Sequence, residues 1–181
     1  MILGVTGLNA SGKGEFCKYL ASKGFIVYSL SDIIREELRK QGKDINRDNL
    51  IAKGNELRKS FGNAVLAERT LQKIEKGKNY AVDSIRNPAE VAALKKNKEF
   101  RLVFIEAPSI EARFERAKSR MREGETISFE KFKEEEEKEL KSRDSANQQL
   151  LACKELADFK ITNNSTLEAF QKTIDKLLEG L

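Results

Sequence analysis

The chain has 181 residues, 34 Lys and Arg against 29 Asp and Glu, a net charge of +5 and no histidine; this length suits one α/β domain and is short for two. The missing histidine excludes a Ser-His-Asp triad and histidine-ligated zinc, and the isolated Cys17 and Cys153 cannot form an all-cysteine metal site, so Lys, Arg, Asp, a metal and the substrate are left to carry any chemistry. Interspersed charge without a basic, aromatic-studded stripe argues against a nucleic-acid partner, and the sequence shows no 18-residue apolar run, secretory signal or lipidation motif, which points to the cytoplasm and away from membranes.

An apolar run over residues 1–6 reads as a buried strand. It ends in Gly7-Leu8-Asn9-Ala10-Ser11-Gly12-Lys13-Gly14, a phosphate-binding P-loop with one substitution, and Phe16, Tyr19 and Leu20 continue the chain as a helix over 13–23. Glycines at Gly7 and Gly12 let successive N–H groups and the helix N-terminus converge on phosphate oxygens, while Lys13 supplies a mobile cation. Gly7, Asn9, Ala10, Ser11, Gly12, Lys13, Gly14 and Glu15 are therefore the candidate ATP-binding residues of this loop. A second strand over 25–28 runs into Ser29-Leu30-Ser31-Asp32-Ile33-Ile34-Arg35, which opens a helix over 32–41 and lets Arg35 point back toward the P-loop. Helical patterns over 47–61 and 64–75 come next, then a strand over 80–82 that ends in Asp83, with Arg86 three residues later. Asp83 also suits a capping role for the helix over 89–96.

Beyond a strand over 101–105, a helix over 110–121 sets Arg113, Arg116 and Arg120 on one face and Ile110, Phe114, Ala117 and Met121 on the other. The run Glu134 to Glu137 lies in a helix over 129–140, where Glu134 with Lys138, Glu137 with Lys141 and Glu139 with Arg143 are Glu-first i,i+4 pairs expected on a solvated face. A last strand over 159–161, a polar turn with Asn163 and Asn164, and a helix over 166–178 complete the pattern, with Asn164 or Ser165 as expected caps. Strands alternating with helices imply a parallel sheet covered by helices. Ligands in such sheets bind beyond the carboxyl ends of the strands, where these motifs fall.

The Gly-Lys-Gly ending of the P-loop and the segment from Ser29 to Arg35 resemble the nucleoside monophosphate kinases of the adenylate type. Tyr80 to Pro88 resembles their Asp-Gly-x-Pro-Arg stretch, Pro108 to Arg122 looks like the helix entering their lid, and Ala157 to Leu167 resembles the closing segment of dephospho-CoA kinases. Over nearly the whole chain, through Asp32 to Glu37 and Ile85 to Val91, the pattern is similar to an archaeal adenylate kinase/dephospho-CoA kinase-like group. The resemblance implies a P-loop kinase fold: a three-layer α/β/α sandwich with a five-stranded parallel sheet, a helical acceptor-binding insertion about 31–75 and a short lid about 120–130, all in a single domain. It also implies ATP and Mg²⁺ as cofactors and a catalytic set of Lys13, Arg35, Asp83, Arg86, Arg116 and Arg120. In that set Arg35 and Arg86, with Asp32 nearby, grip the acceptor phosphate, and Asp83 orients Mg²⁺ through water. Arg116 and Arg120, with Arg122 near the lid tip, reach over the transferring group, and Asn163 and Asn164 lie beside the donor adenine.

Two departures matter. Gly14 lacks the hydroxyl that most P-loop NTPases place on Mg²⁺, and Glu15 stands where adenylate kinases continue with threonine, so metal binding is expected to be looser or wholly water-mediated. The acidic helix stands where those kinases supply further lid arginines, with Arg143 a distant substitute. The stretch 46–61, carrying Asn55, Glu56, Arg58 and Lys59, should cover the acceptor pocket without revealing the base. The leading expectation is transfer of the γ-phosphoryl group of MgATP to a nucleotide, most readily a nucleoside monophosphate. Hydroxyl phosphorylation with Asp32 or Asp83 as base, as in dephospho-CoA kinases, and a non-catalytic ATP-sensing module remain open, and the sequence carries no signal of oligomeric state.

Overall fold

A computed structural model describes residues 1–120, 128–140, 145, 148–164 and 166–181. Strands β1 (Ile2–Gly7), β2 (Ile26–Ser29), β3 (Tyr80–Asp83), β4 (Phe100–Glu106) and β5 (Phe159–Thr162) form one sheet in the order β2-β3-β1-β4-β5. Every pairing is parallel, with Ile2 opposite both Tyr80 and Phe100. Because side chains alternate along a strand, each central strand feeds two cores. Ile2, Val82 and Leu102 face one, and Leu3, Ala81 and Val103 the other.

The Leu3 face is covered by α1 (Lys13–Ser22) and α9 (Leu167–Glu179), which bury Phe16, Leu20, Phe170 and Ile174. The Ile2 face is covered by α2 (Leu30–Lys40), α3 (Arg47–Phe61), α4 (Val65–Leu71), α5 (Pro88–Lys95) and α8 (Leu150–Glu155). The remaining described helices, α6 (Ile110–Lys118) and α7 (Phe129–Leu140), meet through Phe114, whose ring lies edge-on to Phe129 and Phe132 at 5.3 and 5.7 Å between centroids. Among the described residues no helix is long and apolar enough to cross a membrane.

Several local expectations are corrected. Asp83 caps nothing: Asn87 is the N-cap of α5, in a capping box with Glu90 and with Pro88 at the first helical position, because those residues stand at the helix start while Asp83 is still in the strand. Thr166, not Asn164, caps α9 by accepting from Ala169 N; Ser165 lies outside the described residues. The acidic helix is not a wholly solvated face, since Phe132, Glu136 and Glu139 recur at helical spacing and are buried. Arg113 leaves the cationic face of α6 for a buried, two-bond ion pair with Glu136, which satisfies both charges away from water. α8 was not expected, and α4 stops at Leu71, short of the expected 75, where the chain turns through Lys73 N to Thr70 O and Ile74 N to Leu71 O bonds.

Candidate active site

The P-loop follows β1 at the carboxyl edge of the sheet, and its backbone enters the left-handed region at Gly7 (φ 143), Ala10 (φ 57) and Gly12 (φ 113). Two glycines are dictated by contact as well as by φ. A Cβ on Gly7 would lie 2.4 Å from the Ile105 carbonyl oxygen, and one on Gly12 would lie 2.3 Å from Asn163 Nδ2. Lys13 Nζ donates to the carbonyls of Gly7 (2.7 Å) and Leu8 (2.6 Å), folding the side chain back over its own loop. Burial and, next, the positive charge of Arg86 lower its pKa from 10.5 to about 8, against opposing pulls from Asp83 and Glu139.

On the far side of the loop, Asn163 Nδ2 donates to Ser11 O at 3.0 Å, and the Asn163 carbonyl accepts from Arg116 Nη2 at 2.9 Å. Arg116 Nη1 is buried without a hydrogen-bond partner among the described residues, as is Ser11 Oγ. Asn164 is exposed, Glu15 pairs with Lys18, and Arg120 lies exposed in the turn after α6. The expected lid tip, Arg122 and the Gly124 stretch, falls at 121–127 and Arg143 at 141–144, both outside the described residues.

Asp83 ends β3 beside this loop. Its Oδ1 is buried with no partner among the described residues, while Oδ2 accepts a long bond from Ser84 Oγ at 3.4 Å. Ser84 takes φ 64 and is held by Ser29 Oγ at 2.9 Å, tying the ends of β2 and β3 together. No group of three or more acidic, Cys or His residues able to cage a metal occurs among the described residues. One unpartnered carboxylate oxygen next to a phosphate loop suits a hydrated Mg²⁺, which keeps most of its waters and takes few protein ligands.

Between the P-loop, α2, α3 and α7 lies a cavity of about 240 Å³. Arg35, Arg47, Arg58 and Arg86 line it with Asn9 of the P-loop, over apolar Ile34, Leu50, Ile51 and Leu66. Arg35 Nη1 donates to Ser31 Oγ and Asp32 Oδ1, both at 2.7 Å; Asp32 is itself exposed. Arg58 Nε and Nη2 both donate to Glu90 Oε1 (3.1 and 2.8 Å), and Glu90 Oε2 accepts from the backbone N–H of Arg86 (2.9 Å) and Asn87 (3.1 Å). This fully buried carboxylate thus fixes a cavity arginine and the Arg86 main chain together. Arg86 Nη1 donates to Glu139 Oε2 and Gln148 Oε1. The structure therefore brings Lys13, Arg35, Asp83, Arg86 and Asn9 to one side of the P-loop and Arg116 and Asn163 to the other. Arg47 comes from the 46–61 stretch expected over the pocket, though it was not singled out there, whereas Glu139 and Gln148 were not anticipated at the site, because each reaches it from a helix or turn whose sequence reads as ordinary solvated polarity.

The chain is similar to a UPF0200 protein of Sulfurisphaera tokodaii, 31% identical over 180 residues that cover 99% of this chain and 97% of the relative. A UPF0200 protein of Methanosarcina mazei is 34% identical over 183 residues, covering 99% and 94%. A family profile described as an AAA domain matches residues 3–142. The chain belongs to the UPF0200 family and to the P-loop AAA-domain family. Its fold is similar to that of TT1252 from Thermus thermophilus (TM-score 0.61, 20% identity, 100% of this chain and 97% of that one). It is also similar to the shikimate kinase of Aquifex aeolicus (TM-score 0.56, 20% identity, 99% and 97%). The UPF0200 chain thus has the P-loop kinase fold, with the five-stranded parallel sheet that the resemblance implied.

Proposed function

We propose that this protein is an ATP-dependent phosphotransferase, built as a single domain, that passes the γ-phosphoryl group of MgATP to a small nucleotide, foremost a nucleoside monophosphate. The observation that carries the reading is the arginine-lined cavity beside the P-loop: four guanidinium groups over an apolar floor suit a phosphate joined to a flat, largely apolar base. At about 240 Å³ the cavity lies just below the usual range for a ligand pocket, room for a small acceptor. In this reading residues 31–75 form the acceptor-binding region, and the P-loop N–H groups with Lys13 hold the donor phosphates.

Arg35 and Arg86 grip the acceptor phosphate, and its own oxygen attacks without a protein base, since a phosphate is already ionised at neutral pH. Arg116, held at Asn163 with Nη1 unpartnered among the described residues, meets the donor phosphates, and Arg120 adds to the charge around them. Asp83 would hold Mg²⁺ through water, and the ion would neutralise charge on the triphosphate. Hydroxyl phosphorylation would need a base: Asp32, the first candidate, is exposed and tied to Arg35, and Asp83, the second, is the carboxylate assigned here to Mg²⁺. The test is an ATP-consumption screen over AMP, CMP, dCMP, UMP, GMP and dephospho-CoA that follows product identity as well as ADP. Conversion of a monophosphate to its diphosphate is the expected result. Turnover of dephospho-CoA alone, or tight ATP binding with no acceptor accelerating turnover, would overturn it.

A further inference from the structure

The acidic run on α7 ends at the acceptor cavity. Glu139, with its side chain only 7% exposed, lines that cavity, and its two oxygens serve two arginines. Oε2 accepts from Arg86 Nη1 at 2.9 Å and Oε1 from Arg47 Nη2 at 2.8 Å. Each arginine has a further side-chain anchor: Gln148 Oε1 takes Arg86 Nη1 at 2.6 Å, and Glu135 lies 2.6 Å from Arg47 Nη1.

We infer that Glu139 is a positioning residue of the acceptor site, which pins the Arg86 guanidinium by one nitrogen, turns its other edge toward the cavity, and ties α7 to the first residue of α3. This rests on the proposed role of Arg86 as a grip for the acceptor phosphate. Among the described residues both side-chain hydrogen bonds of Arg86 pass through Nη1, the arrangement that leaves Nε and Nη2 to meet a phosphate side by side. The carboxylate is not a free plug that an acceptor would push aside. Phe132 and Glu136, seven and three residues earlier on the same helix face, are buried against Phe114 and Arg113, so α7 delivers Glu139 from a packed surface. It also separates two guanidinium groups in one small cavity, and without it Arg86 and Arg47 would repel each other and move apart. The helix that stands in place of the expected lid arginines thus contributes by arranging arginines from elsewhere.

The experiment uses the full chain, with Glu139→Gln, which keeps shape and removes charge, and Glu139→Asp, which keeps charge and shortens reach. The first readout is ¹⁵N NMR of the Arg86 side chain, assigned by its loss in Arg86→Lys. Its guanidinium rotation should be slow in the wild type, faster in Glu139→Asp and averaged in Glu139→Gln. The second is kinetics with whichever nucleoside monophosphate the wild type accepts. Glu139→Gln should raise the acceptor KM about tenfold, as expected for losing charge-assisted bonds, with the ATP KM within about threefold. In an Arg86→Lys background, where no fork remains to be oriented, the same substitution should add less than about threefold. Unchanged Arg86 signals, a lowered acceptor KM, or an undiminished tenfold loss in the Arg86→Lys background would each overturn the inference. If the wild type turns over no nucleoside monophosphate, the proposed function fails, and the Arg86 signals still decide whether Glu139 holds that side chain.

Discussion

Binding of ATP at mildly alkaline pH should draw protons from solution, and the amount follows from Lys13. Its pKa of about 8, set by burial and by the neighbouring charge of Arg86, leaves it about half neutral at pH 8 and about nine-tenths neutral at pH 9. A triphosphate laid along the loop supplies the opposite charge that the two backbone carbonyls cannot, and restores the protonated form. Proton uptake per nucleotide bound should then be about 0.1 at pH 7, about 0.5 at pH 8 and about 0.9 at pH 9. Calorimetric titration of a non-hydrolysable ATP analogue, repeated in buffers of low and high ionisation enthalpy, reads this number from the slope. Lys13→Met should abolish the uptake and lower phosphoryl transfer by about a hundredfold or more, since it removes a cation from the developing charge. The same shift has a sign for stability. Between pH 8 and 10.5 the unfolded chain holds a proton on Lys13 that the folded chain has released, so this residue's contribution improves as pH rises through that window. Uptake below about 0.1 at pH 8.5, where about 0.75 is expected, or uptake that survives in Lys13→Met, would refute the assignment of Lys13 to the phosphates.

Three further outcomes follow from the geometry. Arg35→Ala should raise the acceptor KM or lower kcat while ATP affinity stays within a small factor; equal losses for both ligands in steady-state kinetics would mean that Arg35 serves the fold. Arg58→Ala strips two bonds from the fully buried Glu90 and should cost about 3–5 kcal/mol in denaturant unfolding, whereas a loss under about 1 kcal/mol would show that the pair is not the anchor described. Gly12→Ala forces a Cβ to within 2.3 Å of Asn163 Nδ2 at φ 113 and should weaken ATP binding about tenfold or more, while Gly14→Ala, with nothing within 4 Å of its Cβ, should bind nearly as the wild type does in the same calorimetric assay.

Much of the fold was legible because its signals are local. The central strands β1, β3 and β4 are apolar runs, and the P-loop, Asp83 and Arg86 stand at or just beyond strand ends, where a parallel sheet exposes its ligands. α8 escaped because the six residues Leu150–Glu155 are too few to show a helical period. The burial of Glu136 and Glu139 escaped for another reason: a run of glutamates satisfies the rule for a solvated helix whether or not arginines from distant elements come to meet it. Arg113 to Glu136 spans 23 residues and Arg86 to Glu139 spans 53, so neither partner is visible in the other's neighbourhood. The site was therefore readable where one motif supplies the chemistry, at the phosphate loop, and only partly readable where several helices each contribute one charge.

The cavity's charge balance suggests how such a wall could act on an acceptor. Each of its four arginines has a carboxylate partner among the described residues, but the pairs differ in depth. Arg58 and Glu90 are 4% and 0% exposed, Glu139 between Arg86 and Arg47 is 7%, and Arg35 with Asp32 is 34% and 56%. An exposed pair contributes little and is screened by salt, whereas breaking a buried one leaves an uncompensated charge. An arriving phosphate therefore competes cheaply for Arg35, whose partner Asp32 is exposed, and expensively for Arg58, so that the Arg58–Glu90 pair is a fixed part of the cavity wall and the Arg35 side is freer to adjust. That gradient fits the demand of phosphoryl transfer under the proposed function: the acceptor must be held at one angle by a rigid wall while the group nearest the reacting oxygen follows it toward the donor.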